Sequence, residues 1–197
     1  VRSLSFSSFA GQAVLASGGA DACVRFWDPF TGTEVRRPIF GHRFMVNAVH
    51  LCADASGAPL LASGGVDEAL HVIQLGEIED QEHRLNGHLA EILAVGSAYI
   101  GPALHLFSGS RDGEIRIWSA TDLTRPSVGV QVGGGAINCI AVVDYGGEAT
   151  IAIGTADHSV RILRRADPKR LLATFHHHGP VLALAPASLA GRPALVS

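Results

Sequence analysis

Apolar and polar residues alternate with a period of two over short runs of this chain. Cys23-Val24-Arg25-Phe26-Trp27, Glu114-Ile115-Arg116-Ile117-Trp118 and Ser159-Val160-Arg161-Ile162-Leu163 each turn successive side chains to opposite sides. That period belongs to β-strands, since apolar positions on a helix recur at three and four residues. Gly-Gly, Ser-Gly and Asp-Gly pairs punctuate the runs, and such residues make tight turns. Over residues 45–86 the pattern predicts strands near 45–51, 59–64, 69–75 and 81–86. The charged run Gly76–Arg84 could form a helical turn, but a loop and an outer strand suit it better, and no long helix is expected.

The pattern repeats. Leu15-Ala16-Ser17-Gly18-Gly19, Leu61-Ala62-Ser63-Gly64-Gly65 and Leu106-Phe107-Ser108-Gly109-Ser110 align, with Ala152-Ile153-Gly154-Thr155 as a fourth copy. Each is followed by an Asp (Asp21, Asp67, Asp112, Asp157), at spacings of 46, 45 and 45 residues. A large residue stands six positions after each Asp: Trp27, Ile73, Trp118 and Leu163. A constant period at several independent positions marks repeated structural units, each too small to bury its own faces.

Composition narrows the classes. The 197 residues are 47% hydrophobic and 17% charged, enough for a core and too apolar for a disordered chain. A net charge of −3 supplies no basic field for nucleic acid or an anionic membrane, so neither partner is expected. Cys23, Cys52 and Cys139 lie far apart without a CxxC pair, which excludes a cysteine zinc site and suggests reduced thiols in the cytoplasm. No apolar run reaches the roughly 18 residues of a membrane helix; Val181–Val196 is broken by Pro186, Gly191, Arg192 and Pro193. The opening Val1-Arg2-Ser3-Leu4 has no initiator Met, and the chain reads as a cut from something longer.

Gly-His, an apolar strand, Ser-Gly, Asp and then Val-Arg-Phe-Trp-Asp together resemble the WD-repeat β-propeller family, most closely over Gly87–Trp118 and Leu15–Asp28. Ile73 and Leu163 depart at the Trp position, Gly133 at the His position and Ile153 at the Ser position. Trp27–Gly32 and Ala190–Ser197 look like bacterial-type repeats. The resemblance implies an all-β partial propeller: four four-stranded antiparallel blades at about 1–41, 42–87, 88–133 and 134–176, and part of a fifth at 177–197. Val1 aligns with Val46, Ile92, Ile137 and Val181 on the innermost strand, and Ser197 with Ser17, Ser63 and Ser108. Propellers close with about 4–8 blades, so the remaining blades are expected from a longer chain or a second one. An open arc would expose an apolar face at each end and self-associate.

His88, Ser108 and Asp112 match the residue types of a hydrolase triad. The same set recurs in each unit, however, and no Gly-x-Ser-x-Gly elbow surrounds the serines. The resemblance implies a structural tetrad instead: Asp accepts from His, His bonds Ser, and Ser accepts from the Trp indole. His88, Ser108, Asp112 and Trp118 complete it. Ser17, Asp21 and Trp27 form it in part, as do His42, Ser63 and Asp67, while Asp157 and His177 hold the Asp and His positions of the last two units. His176-His177-His178 is explained by that register, so neither a metal nor a cofactor is expected.

Glu77, Glu79, Asp80 and Glu82 form an acidic stretch, and Arg161, Arg164, Arg165, Lys169 and Arg170 a basic one; either could dock a charged partner. By resemblance, partners bind the narrow face around the channel. The candidates there are Phe44, Met45, Asn47, Leu89, Glu91, Leu93, Arg111, Ala136 and Asn138. The expected function is a non-catalytic scaffold for proteins or peptides. The alternatives are a sensory or regulatory propeller fused to a catalytic domain, or a propeller enzyme with a site at the channel mouth.

Overall fold

A computed structural model describes residues 1–9, 11–54, 56–76, 79–145, 148–189 and 192–197. Glu77 of the acidic stretch, and Ala190 and Gly191 of the last bacterial-type run, lie outside them. Among the described residues every regular element is a strand, and no helix is long and apolar enough to cross a membrane.

The first sheet holds β1 (Ser3–Phe9), β2 (Gln12–Gly18), β3 (Val24–Trp27) and β4 (Glu34–Ile39). The second holds β5 (Val46–Ala53), β6 (Pro59–Gly65), β7 (Ala69–Gln74) and β8 (Gln81–Asn86). The third holds β9 (Ile92–Ile100), β10 (Ala103–Ser110), β11 (Glu114–Ser119) and β12 (Val128–Gln131). The fourth holds β13 (Ile137–Tyr145), β14 (Glu148–Thr155), β15 (Ser159–Arg164) and β16 (Asp167–His176). A hairpin of β17 (Ala185–Leu189) and β18 (Arg192–Val196) follows. Each sheet is an antiparallel meander in chain order, so the chain is all-β with four four-stranded blades and a two-stranded fifth piece. The four strands anticipated in the second unit are present, and Gln81–Asn86 is an outer strand, not a helical turn.

The sheets pack in series through their inner strands, β1 on β5, β5 on β9, β9 on β13, and β13 on the final hairpin. Each apolar cluster joins two successive sheets. Ala16, Val24 and Phe26 meet Val46, Val49, Leu61 and Ile73; Leu60, Ala62, Leu70 and Val72 meet Ile92, Leu106 and Trp118. Alternate residues of one strand thus serve opposite interfaces, which is why both faces of these strands carry apolar bulk.

One joint recurs. The first apolar residue of each inner strand seats on a glycine of the preceding sheet: Val46 on Gly18, Ile92 on Gly64, Ile137 on Gly109 and Val181 on Gly154. A methyl group at Gly18 would come within 2.6 Å of Val46 Cγ1. Polar staples reinforce the first interface: Val49 N–H donates to Ser3 Oγ (3.1 Å) and Leu51 N–H to Ser5 Oγ (2.9 Å).

The outer face of the first sheet has no such cover. Val1, Leu4 and Phe6 are 87%, 60% and 62% exposed, whereas the equivalent Val46, Val49 and Leu51 one period later are 0%, 5% and 4% exposed.

Between the second and third strands of each four-stranded sheet, the residue after the Asp takes a left-handed backbone: Ala22 (φ 62°), Glu68 (62°), Gly113 (80°) and His158 (67°). Asp112, which with Gly113 formed the Asp-Gly turn signal, is not itself left-handed.

Candidate functional site

In the third sheet the repeat motif becomes a closed chain of hydrogen bonds. The Trp118 indole N–H donates to Ser108 Oγ (2.8 Å), Ser108 Oγ lies 2.8 Å from His88 Nε2, and His88 Nδ1 lies 2.9 Å from Asp112 Oδ2. An ionised carboxylate only accepts, so Nδ1 carries the ring proton and Nε2 accepts from the Ser108 hydroxyl. Asp112 also accepts from the backbone N–H groups of Leu89 (3.0 Å) and Glu114 (2.9 Å). This one carboxylate therefore ties the Gly-His loop to the turn between β10 and β11. Ser108, His88 and Trp118 are buried. Burial holds His88 below the ordinary histidine range, against the opposing pull of Asp112. Burial also pushes Asp112 up, but its backbone and His88 bonds outweigh that and leave it below the usual carboxylate range.

The other sheets vary the theme. In the first, the Trp27 indole donates to Ser17 (2.8 Å), and Asp21 faces Cys23 and Arg25. A hollow of ≈ 410 Å³ lined by Ser17, Gly18, Asp21, Cys23 and Trp27 lies beside them. In the second, His42 joins Asp67 (2.9 Å) and Ser63 (2.9 Å). Ile73 supplies no indole there, and the His71 ring packs 4.0 Å from that of His42. In the fourth, Asp157 binds the Arg161 guanidinium (2.7 Å), which also donates to Thr155 Oγ1 (2.8 Å). Gly134, left-handed at φ 82°, leaves no room for a side chain beside that guanidinium. The Arg161 bond holds the Asp157 carboxyl well below the usual range. In the last piece, His177 Nε2 and Ser197 Oγ lie 3.1 Å apart.

Arg25, His71, Arg116 and Arg161 occupy one repeating step, with spacings of 46, 45 and 45 residues. Sequence reasoning passed over this column, although the same period that marked the aspartates was there to find it.

On the rim, the loops entering the inner strands are tied to the turns after the second strands. Val66 N–H donates to Met45 O (3.1 Å), Arg111 N–H to Glu91 O (3.0 Å) and Ala156 N–H to Ala136 O (2.9 Å). Phe44, Leu89 and Arg111 are exposed, while Met45, Glu91, Leu93 and Ala136 are half-buried. Arg111 pairs with Glu91 at 3.3 Å. Asn47 and Asn138 spend their amide N–H groups on the next sheet, donating to Ile92 O (3.2 Å) and Val181 O (3.1 Å).

The charged stretches are partly consumed within the fold. Asp80 holds Arg36 through both carboxylate oxygens (2.6 and 2.9 Å), Glu82 bonds His71 (2.8 Å) and Arg161 bonds Asp157. Half-buried Arg165 and exposed Lys169 and Arg170 remain on the basic side. Burial pushes the Cys52 and Cys139 thiols up to about 11, far from a reactive thiolate at neutral pH.

A family model described as "WD domain, G-beta repeat" matches residues 1–28 and 79–119. The chain is similar to Protein tipD of Dictyostelium discoideum, 27% identical over 172 residues, which cover 83% of this chain and 25% of that protein. It is also similar to WD repeat and HMG-box DNA-binding protein 1 of Xenopus laevis, 35% identical over 86 residues, which cover 44% of this chain and 7% of that protein. The alignments thus span a quarter or less of either relative's length.

Proposed function

Because the chain belongs to the WD-repeat family, whose domains generally serve as protein-interaction scaffolds, we propose that this stretch is a non-catalytic scaffold that docks other proteins or peptides on its loop rim. The single observation that carries this reading is the rim itself: exposed Phe44 and Leu89 lie in the Gly-His loops of the second and third sheets, and Arg111, held by Glu91, in the turn after β10. Exposed apolar and Arg side chains on a rigid support are the residue types that anchor interfaces. Met45, Asn47, Leu93, Ala136 and Asn138 shape and brace that rim.

The buried His88–Ser108–Asp112–Trp118 chain supports a structural role rather than a catalytic one. Its serine hydroxyl faces an indole and an imidazole inside the sheet stack, with no approach for a substrate. The free thiols of Cys23, Cys52 and Cys139 support a cytoplasmic location. The uncovered Val1, Leu4 and Phe6 support a further blade as one partner, from the same chain or another.

The test compares binders of the intact protein and of a Phe44→Ala/Leu89→Ala/Arg111→Ala variant on a peptide array, with folding checked by circular dichroism. The folded variant is expected to lose the bound peptides. Unchanged binding would remove the rim from the proposal, and fluorophosphonate labelling of Ser108 would favour an enzyme.

A further inference from the structure

The second sheet differs from its neighbours in one respect: two imidazoles face one carboxylate. His42 Nδ1 lies 2.9 Å from Asp67 Oδ1, and His71 Nε2 lies 3.4 Å from Asp67 Oδ2. All three side chains are almost wholly buried, and one ligand atom from each falls within 4.8 Å of the others. The far nitrogens are already held: His42 Nε2 by Ser63 Oγ (2.9 Å) and His71 Nδ1 by Glu82 Oε1 (2.8 Å). His71 Nε2 has no hydrogen-bond partner although it is buried. An orphaned buried nitrogen aimed at a carboxylate calls for a ligand.

At the step of His71, the other sheets carry Arg25, Arg116 and Arg161, and Arg161 pairs with Asp157 at 2.7 Å.

We propose that His42, Asp67 and His71 form a binding site for a divalent transition metal of zinc's class, with Glu82 and Ser63 orienting the two imidazoles from outside. Imidazole nitrogen and carboxylate oxygen are ordinary zinc donors, at about 2.0–2.2 Å from the ion. Bonds of that length set tetrahedral donors roughly 3.4 Å apart. The present separations of 2.9 and 3.4 Å need only small adjustment. A carboxylate on the far nitrogen of a ligating histidine is the usual outer support of such sites, and Glu82 stands there. Binding at His42 Nδ1 moves the single ring proton to Nε2, where it donates to Ser63 Oγ, so the ring stays a neutral imidazole and gives up no net proton. His88, Asp112 and Glu114 of the third sheet also lie close together. They offer one imidazole, both of whose nitrogens are bonded, and Arg116 sits 2.9 Å from Glu114. His176–His178 are exposed and belong to a different surface.

The experiment is a titration of chelator-stripped protein with zinc sulfate at neutral pH. Uptake is followed by calorimetry, and the absorption of the cobalt(II)-loaded protein is recorded. The intact protein is expected to take up one tight equivalent, melt at a higher temperature with zinc, and show the visible bands of tetrahedral cobalt. His71→Arg restores the residue type of the other sheets and keeps a partner for Glu82. It is expected to fold without metal and to lose the tight equivalent and the cobalt bands. Glu82→Gln is expected to weaken binding by about 10–100-fold. If His71→Arg does not fold, His71→Gln is read in its place. Absence of a tight equivalent in the intact protein overturns the proposal, as does its persistence in a folded His71 variant, which would assign the metal to the exposed histidines.

Discussion

At the scale of single residues, the burial of His88 and His42 ties stability to pH. Burial lowers both below the free histidine value of 6.5, and for His42 the neighbouring His71 adds to the effect. The unfolded chain therefore binds protons that the folded chain refuses, and stability falls as pH drops below about 6.5. Asp67 and Asp112 are shifted below 3.8 in the folded chain, so their share is lost only in stronger acid. Thermal melts of chelator-treated protein, followed by circular dichroism, are expected to show a falling midpoint from about pH 7 to about pH 5. A flat or rising midpoint would contradict neutral buried rings. The tetrad positions were legible because side-chain chemistry and spacing both repeat. What takes their place where the motif fails was not. The Arg161 guanidinium fits against Gly134, where a side chain would block it, and that depends on how the left-handed backbone there passes the site. The turns show the same limit. Gly113 announces a left-handed residue, but Ala22, Glu68 and His158 adopt the same conformation without any compositional sign.

At the scale of strands and sheets, the alternation of side chains determined nearly everything about the elements. The forecast 59–64 strand differs from Pro59–Gly65 by one residue, because two-sided burial leaves little choice of register, and the forecast 81–86 strand coincides with the largely exposed Gln81–Asn86. The glycine joints were harder to read, since Ser-Gly looked only like a turn signal. Gly18, Gly64, Gly109 and Gly154 are strand residues that accept a side chain from the next sheet. Gly109→Ala would drive a methyl into Ile137 Cγ2 inside a packed interface. The expected loss is about 1–3 kcal/mol, in the range of overpacked cores, measured by urea unfolding. A stability equal to that of the parent protein would mean the joint can open without cost.

At the scale of the whole molecule, a stack of sheets ends in a face that resembles every internal one. Val1, Leu4 and Phe6 repeat residues that are buried one period later. Contiguous apolar surface of this kind drives association, so this stretch is expected to sediment as larger species with rising concentration. Leu4→Lys/Phe6→Lys should shift it toward the monomer while leaving its circular dichroism intact; equal sedimentation of the two proteins would show that other surfaces control assembly. The sequence period predicted the uncovered face, since Val1 falls in register with Val46. The path of the inter-sheet asparagines, Asn47 to Ile92 O and Asn138 to Val181 O, was hidden because it depends on how two sheets lean together. The glycine joint has a consequence for how such a chain can lengthen. Its socket and its plug belong to consecutive copies of one motif. A tandem gene duplication of a single period therefore inherits both halves of a working connection, and growth by whole copies needs no newly invented interface.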